Sequence, residues 1–408
     1  MRKVLKGDET RNMKYADRME NLNASEIREL LKVTDRPEII SFAGGLPAAE
    51  LFPIEEMAAA CATVLRDNGE KALQYSLTEG FLPLREWIAE RENSRVGTKL
   101  TAENILITHG SQQALDLIGK LLINKDDVIL CESPTYLSAL NVFKTFEGRI
   151  LEVPTDQEGI IVHELAQLLA STPNVKLLYT IPTFQNPSGK TWSLERKREV
   201  SALARQYDVA LVEDAPYEEL RYSGEATASM LSFPQAETII RTGSFSKVLC
   251  PGLRIGWIAA DTEVIEKLVL IKQSTDLQSN TFAQMQIAQF IQDNSMDAHI
   301  GRLIHAYRLR RDAALSGIER YFPSEVQYTH PEGGLFLWLE LPEKINTTTL
   351  LQKSLERHVA FVSGESFYAE KRRYNTMRLN FSCMDEEKID AGFKILGELI
   401  SEELGKAS

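Results

Sequence analysis

The chain has 408 residues, of which 43% are hydrophobic and 25% charged, and its formal net charge is −12. That length accommodates one large and one smaller core, and the balance is that of an ordinary soluble globular protein. The acidic excess argues against a nucleic-acid surface, because phosphate backbones demand a concentrated positive field.

In chain order, the polar N-terminus "MRKVLKGDETRNMKYADRME" lacks the apolar core of a signal peptide. "NASEIRELLKVTD" has a helical pattern with Asn23 or Ser25 as N-cap. "SFAGGLPAAELFP" then breaks the pattern with glycines and prolines, so Ser41 to Pro53 reads as an extended connector. From about residue 100, apolar runs ("NILIT", "DVILC", "VKLLYT", "VALVED") alternate with helical stretches such as "SQQALDLIGKLL" and "SLERKREVSALARQY". This alternation predicts βα units around a mostly parallel sheet covered on both faces. The pattern continues through "TIIRTG" and "LRIGWIAA", and a long helical stretch follows from about Thr281 to Tyr321. The strands "GGLFLWLELP", "VAFVSG" and "TMRLNFS" read as a separate α+β lobe beginning near residue 300, with a site in the cleft between lobes. No apolar run reaches membrane-spanning length. Cys61, Cys131, Cys250 and Cys383 are far apart and form no CxxC pair, so no metal site is expected and a reduced, cytoplasmic setting fits best.

Ligands of open parallel sheets bind at the carboxyl ends of strands. After "NILIT", Ser111 and Gln112 open a helix, which reads either as a phosphate site at a helix N-terminus or as a simple N-cap. After "DVILC", Tyr136 begins the next helix, placed to stack on a planar ring or to pack between helix and sheet. After "VKLLYT", Asn186 lies between prolines in "IPTFQNPSG", as a turn former or a rigidly presented amide. Asp214 ends the run "VALVED", where a carboxylate needs a cation or strong donor unless it caps a following helix, and Tyr217 reaches the same space. In "TGSFSKVLCPGLRIGW", Lys247 sits between the hydroxyls of Ser244 and Ser246 and the guanidinium of Arg254, without the GxxxxGK[ST] of a nucleotide P-loop. Hydroxyls and arginine suit a phosphate dianion. A lysine in a dry, positive site has a lowered pKa and forms Schiff bases with aldehydes. A phosphorylated aldehyde with a basic aromatic nitrogen answers all five signals together: pyridoxal 5′-phosphate.

These motifs, with "LQYSLTEGFLPLREW" and "MRLNFS", run through nearly the whole chain, and "GSFSKVLCPGLRIGW" is the most specific. The chain resembles the class I/II aminotransferases of fold type I, most of all the branch of 2-aminoadipate (LysN-like) and kynurenine aminotransferases. The resemblance implies the α/β fold of PLP-dependent transferases, with a mostly parallel, seven-stranded-type sheet in a large domain and a smaller α+β domain. The units would be residues 1–50 as an N-terminal arm and helix, 51–300 as the cofactor domain and 301–408 as the small domain.

It further implies that Lys247 holds the cofactor and then acts as acid and base. Asp214 would pair with the ring nitrogen, Asn186 and Tyr217 would bond the ring oxygen, and Tyr136 would stack on the ring. Ser111, Gln112, Ser244, Ser246 and Arg254 would hold the phosphate. Tyr75 would reach the neighbouring site of a homodimer. Arg378 would clamp the substrate α-carboxylate, a planar bidentate match that lysine cannot reproduce. Asn186 and Gly45 would also meet substrate, Gly44 and Gly45 permitting close backbone approach. Arg28 would face the distal end of an acidic side chain, or lie on a solvated helix face. Relatives often carry two aspartates in the "VED" turn, whereas Ala215 follows Asp214 here.

The expected reaction is transfer of an amino group from an L-amino acid to a 2-oxo acid such as 2-oxoglutarate, with donors including 2-aminoadipate, aromatic or branched-chain amino acids. A β-lyase or decarboxylase shares the same ligands. A non-catalytic regulator module is disfavoured because only about 40 residues precede the connector, too few for a winged helix and linker. A nicotinamide dehydrogenase lacks its GxGxxG.

Overall fold

The computed structural model describes residues 13–21, 30, 36–370 and 372–406. The N-cap expected at Asn23 or Ser25, and Arg28, lie outside them. The larger sheet contains β1 (Ile105–Thr108), β2 (Val128–Ser133), β3 (Arg149–Asp156), β4 (Gly159–Ile160), β5 (Val175–Thr180), β6 (Ala210–Asp214), β7 (Ile239–Ser244) and β8 (Gly256–Ala259). Their spatial order is β1-β8-β7-β6-β5-β2-β3-β4. The run from β7 to β3 is parallel, β8 is antiparallel to both its neighbours, and the two-residue β4 folds back on the edge as an eighth strand. The mostly parallel, seven-stranded-type sheet expected from the sequence is therefore present.

Alternation along each strand divides the core between the two faces. Ile129, Cys131, Leu177, Tyr179 and Val212 pack on one side with the helices Gly110–Leu122, Leu137–Lys144 and Thr262–Thr275. Val128, Leu130, Leu178 and Leu211 pack on the other with Val162–Ser171 and Leu194–Gln206. Apolar residues on both faces explain why the strand sequences read as continuous hydrophobic runs.

A second, antiparallel sheet has the order β9-β10-β12-β11, from Gln327–Tyr328 (β9), Phe336–Glu340 (β10), Val362–Ser363 (β11) and Thr376–Asn380 (β12). Leu337, Leu339, Met377 and Leu379 join the core against the helices Met296–Tyr321 and Glu386–Lys406. Trp338 and Arg378, cross-strand partners one position out of phase, turn to the opposite face. The connector is pinned there: Ile40–Ser41 pairs with Val359–Ala360, and the Asn380 N–H donates to the Phe42 carbonyl at 2.8 Å. The expected single helical stretch from Thr281 to Tyr321 is two helices, Thr281–Asp293 and Met296–Tyr321. Asn294 is extended, and Ser295 caps the second helix by accepting from the Ala298 N–H.

One ion network braces the larger sheet. Arg241 on β7, its side chain 1% exposed, reaches Glu92 at 2.6 Å, Glu213 on β6 at 3.1 Å and Glu218 beyond β6. Burial raises Glu92 to about 7 even though Arg241 opposes the shift. Removing the guanidinium leaves the buried carboxylates of Glu92 and Glu213 and the half-buried one of Glu218 without it. Arg241→Met should therefore destabilise the protein by about 3–5 kcal/mol in urea unfolding. Arg66→Ala, which breaks the exposed pair with Asp67, should leave the midpoint unchanged.

Candidate active site

Strands β1, β2, β5, β6 and β7 point the same way, so the five loops singled out in the sequence open along one edge of the sheet. Asp214 sits in the middle of that edge and is 1% exposed. Its carboxylate accepts hydrogen bonds from the Tyr179 hydroxyl at 2.7 Å and the Thr242 hydroxyl at 2.6 Å, one from each flanking strand. Burial pushes its pKa up, and those two donors oppose the rise. Turns, not a helix, follow Asp214, so it caps nothing. Tyr179 and Thr242 were not singled out in the sequence. The available signal was a hydroxyl within an otherwise apolar strand run, one strand away from a carboxylate.

Hydrogen bonds, linked through the backbone of the connector, join five distant stretches. Asn186 donates to the Tyr217 hydroxyl at 3.2 Å and accepts from Arg378 at 2.9 Å. Arg378 donates its other terminal nitrogen to the Ala43 carbonyl at 2.7 Å. Two residues on, the Gly45 carbonyl accepts from Lys247 Nζ, also at 2.7 Å. Arg378 is 1% exposed and lies between the rings of Phe336 and Phe367, at 4.3 and 5.0 Å from their centroids. Its Nε has no hydrogen-bond partner, and no acidic side chain pairs with it among the described residues. Burial lowers its pKa to about 10. Burial also lowers Lys247, to about 8, with Cys383 opposing and Arg254 and Arg378 assisting.

The third part of the site is a basic corner. Gly110 begins its helix at a φ of +71°, where a Cβ would stand 2.6 Å from an Arg254 nitrogen, so only glycine fits. Arg254 donates to the His109 carbonyl at 3.2 Å and to Ser246 Oγ at 3.4 Å. Ser244 Oγ accepts from the Ser246 N–H at 3.1 Å. Ser111 and Gln112 occupy the first turn of the helix, where backbone N–H groups have no intrahelical partner. Tyr136 stands immediately before the helix Leu137–Lys144. Its phenol is raised by burial, and Asp214, Arg378 and Arg254 are among the charges acting on it. Tyr75 is set apart from this group, 78% exposed at the surface. Arg28 lies outside the described residues, and no cluster of three metal-binding side chains occurs among them.

These features fit a phosphorylated, cationic aromatic aldehyde. The buried Asp214 has hydroxyl donors but no cation bonded to it, the corner supplies guanidinium, hydroxyls and a helix N-terminus, and Lys247 supplies an amine. Comparison with known proteins agrees. The family described as aminotransferase class I and II matches residues 38–396. The aromatic-amino-acid aminotransferase 1 of Thermococcus litoralis is 46% identical over 396 residues, which span 96% of this chain and 95% of that protein. Kynurenine aminotransferase of Pyrococcus horikoshii, solved with PMP, superposes with a TM-score of 0.91 at 42% identity, covering 96% of this chain and 97% of that one. LysN, the alpha-aminoadipate aminotransferase of Thermus thermophilus, solved with N-(5′-phosphopyridoxyl)-L-leucine, gives 0.89 at 38% identity over 96% and 98%.

The lowered amine has a direct readout. In cofactor-free protein, acylation of Lys247 followed by peptide mapping should reach half its maximal rate near pH 8, because the neutral amine accumulates above its pKa of about 8. An unperturbed lysine, at 10.5, reaches that point more than two units higher. A Lys247 profile matching that of surface lysines would contradict the assignment.

Proposed function

Because the chain belongs to the class I and II aminotransferases, we propose that it transfers the amino group of an L-amino acid to 2-oxoglutarate, accepting 2-aminoadipate, aromatic or branched-chain donors. It is a pyridoxal 5′-phosphate-dependent transaminase acting on amino and 2-oxo acids. The observation that carries the substrate class is Arg378: a guanidinium buried between two aromatic rings, with an unpartnered Nε and no acidic partner among the described residues. Such a group calls for a carboxylate, and its planar fork suits two parallel N–H donors to one.

Bound at this edge, pyridoxal 5′-phosphate supplies an aldehyde for amines and an electron-poor ring that stabilises negative charge at a substrate Cα. Asp214, fixed between Tyr179 and Thr242, would hold a proton on the ring nitrogen. Asn186 and Tyr217 would present donors to the ring oxygen, Tyr136 would cover the ring, and Ser111, Gln112, Ser244, Ser246 and Arg254 would hold the phosphate. Arg378 and the Gly45 backbone orient the donor. Lys247, whose lowered pKa leaves a large neutral fraction near pH 8, removes the Cα proton and holds it for return.

Tyr75 is assigned to the site of a second copy in a homodimer. Supporting this, Leu73, Leu77, Leu82, Leu270 and Leu277 are exposed along with it, and the Ser76 N–H bonds Gln278, which joins their two stretches. Arg28 is retained as a contact for an acidic donor side chain. The division at residues 50 and 300 is retained as the domain organisation, with the helix Met296–Tyr321 running across the second boundary. No helix among the described residues is long and apolar enough to cross a membrane, and a cytoplasmic location is proposed.

A panel of donors against 2-oxoglutarate, with glutamate measured as product, tests the reading; ammonia or carbon dioxide released without glutamate rejects it. Arg378→Lys should lower kcat/KM by about 10–100-fold for every donor alike, because the α-carboxylate is common to all and a charge-assisted hydrogen bond contributes about 1.5–3 kcal/mol. Arg28→Ala should weaken acidic donors more than aromatic ones, and equal losses would remove its proposed role.

A further inference from the structure

Behind the basic corner lies a group of polar side chains that none of the roles above uses. Lys272, near the end of the helix Thr262–Thr275, is 0% exposed. Its ammonium donates to both oxygens of Asp276, at 2.7 and 2.9 Å, and to Gln113 Oε1 at 3.2 Å. Gln113 Nε2 donates in turn to Asp276 Oδ2 at 2.6 Å. With its amide group engaged by a cation and a carboxylate in this way, the orientation of Gln113 is fixed. Its Oε1 also accepts the backbone N–H of His109 at 2.8 Å.

That last bond gives the cluster its meaning. The carbonyl of the same residue accepts from Arg254 at 3.2 Å. His109 is thus gripped on its N–H by the buried cluster and on its carbonyl by the corner arginine. It immediately precedes Gly110, whose positive φ sets the direction of the first helical turn. The His109 imidazole adds to the same group, 3.4 Å from Asp276. An ion pair four residues apart on one helix is ordinarily a surface feature of small consequence. Here the lysine is wholly buried, and its third contact points away from its own helix toward the phosphate corner.

We propose that Gln113, Lys272 and Asp276 are positioning residues for the cofactor phosphate, holding the His109 peptide so that the free N–H groups of Gly110, Ser111 and Gln112 converge on a dianion. This rests on the reading of that corner as the phosphate site. The three residues touch no cofactor atom themselves. They act by keeping a helix N-terminus in the orientation that the anion needs.

The test compares two probes on cofactor-free protein, pyridoxal 5′-phosphate and pyridoxal, which lacks the phosphate. Dissociation constants are measured by fluorescence titration for the native protein, Lys272→Met, Gln113→Leu and Ser246→Ala. Lys272→Met and Gln113→Leu should each weaken pyridoxal 5′-phosphate by about tenfold or more, equivalent to about 1.4 kcal/mol, while leaving pyridoxal within about twofold. Gln113→Leu decides alone if Lys272→Met does not fold. Equal weakening of both probes would reduce the cluster to general structural support and overturn the proposal. So would an unchanged affinity for pyridoxal 5′-phosphate in both variants while Ser246→Ala weakens it, an outcome that leaves the corner assignment standing. If the native protein binds the two probes equally and Ser246→Ala changes neither, the corner itself is misassigned and the proposal falls with it.

Discussion

The arrangement of the site depends on how a buried guanidinium is held before any anion reaches it. Arg378 is fixed by Asn186 and by the Ala43 carbonyl, and it lies between Phe336 and Phe367. Two hydrogen bonds to neutral groups and two aromatic faces offset part of the desolvation, but Nε remains unpartnered. A carboxylate would complete the set. Because the fork is already oriented, little side-chain entropy remains to be lost when the anion binds. The same contacts draw the connector onto β12, and this brings the Gly45 carbonyl to Lys247. Fixing one cation therefore sets the distance between the guanidinium and the amine.

Strand β6 shows how one sequence position separates two uses of a buried charge. Glu213 and Asp214 are adjacent, so their side chains leave opposite faces of the sheet. Glu213 meets Arg241 directly across the ladder and accepts from Ser229 and the Met230 N–H. Its charge is answered inside the protein, and it braces the sheet. Asp214 receives only two neutral hydroxyls. Burial raises its pKa despite them, so a cation on the open side is what would keep it ionised. One carboxylate is satisfied by the fold and the other is left for a ligand.

The sequence made the five strand exits legible because buried parallel strands leave continuous apolar runs, and because each run ends on a polar residue that a strand interior would not tolerate. Ser111, Asn186, Asp214 and Lys247 stood out for that reason. What stayed hidden was anything set by contacts between strands. Tyr179 and Thr242 sit inside runs that read as ordinary β-structure, and only the register across β5, β6 and β7 aims both at Asp214. Arg241 looks like an isolated charge in "TIIRTG" until Glu92, from a helix far earlier in the chain, is brought to it. The break at Asn294 was locally readable, since "QDNSM" carries a polar capping residue, but the apolar periodicity on either side masked it.

The proposed roles separate according to where their residues stand in the fold. Asp214 ends β6 and Arg378 lies within β12, where a shift of one residue would reverse a side chain's direction, and Asn186 and Lys247 stand in the turns that follow β5 and β7. The one group proposed for the donor side chain is placed differently. Arg28 belongs to the N-terminal stretch, ahead of the connector and of every strand of the two sheets. A substitution at Arg28 changes no residue of either sheet. Relatives of comparable identity are named for different donors, one for aromatic amino acids, one for kynurenine and one for alpha-aminoadipate. Under the proposed roles, the groups that act on atoms common to every donor are tied to the two sheets, and the group that would read the donor side chain is not.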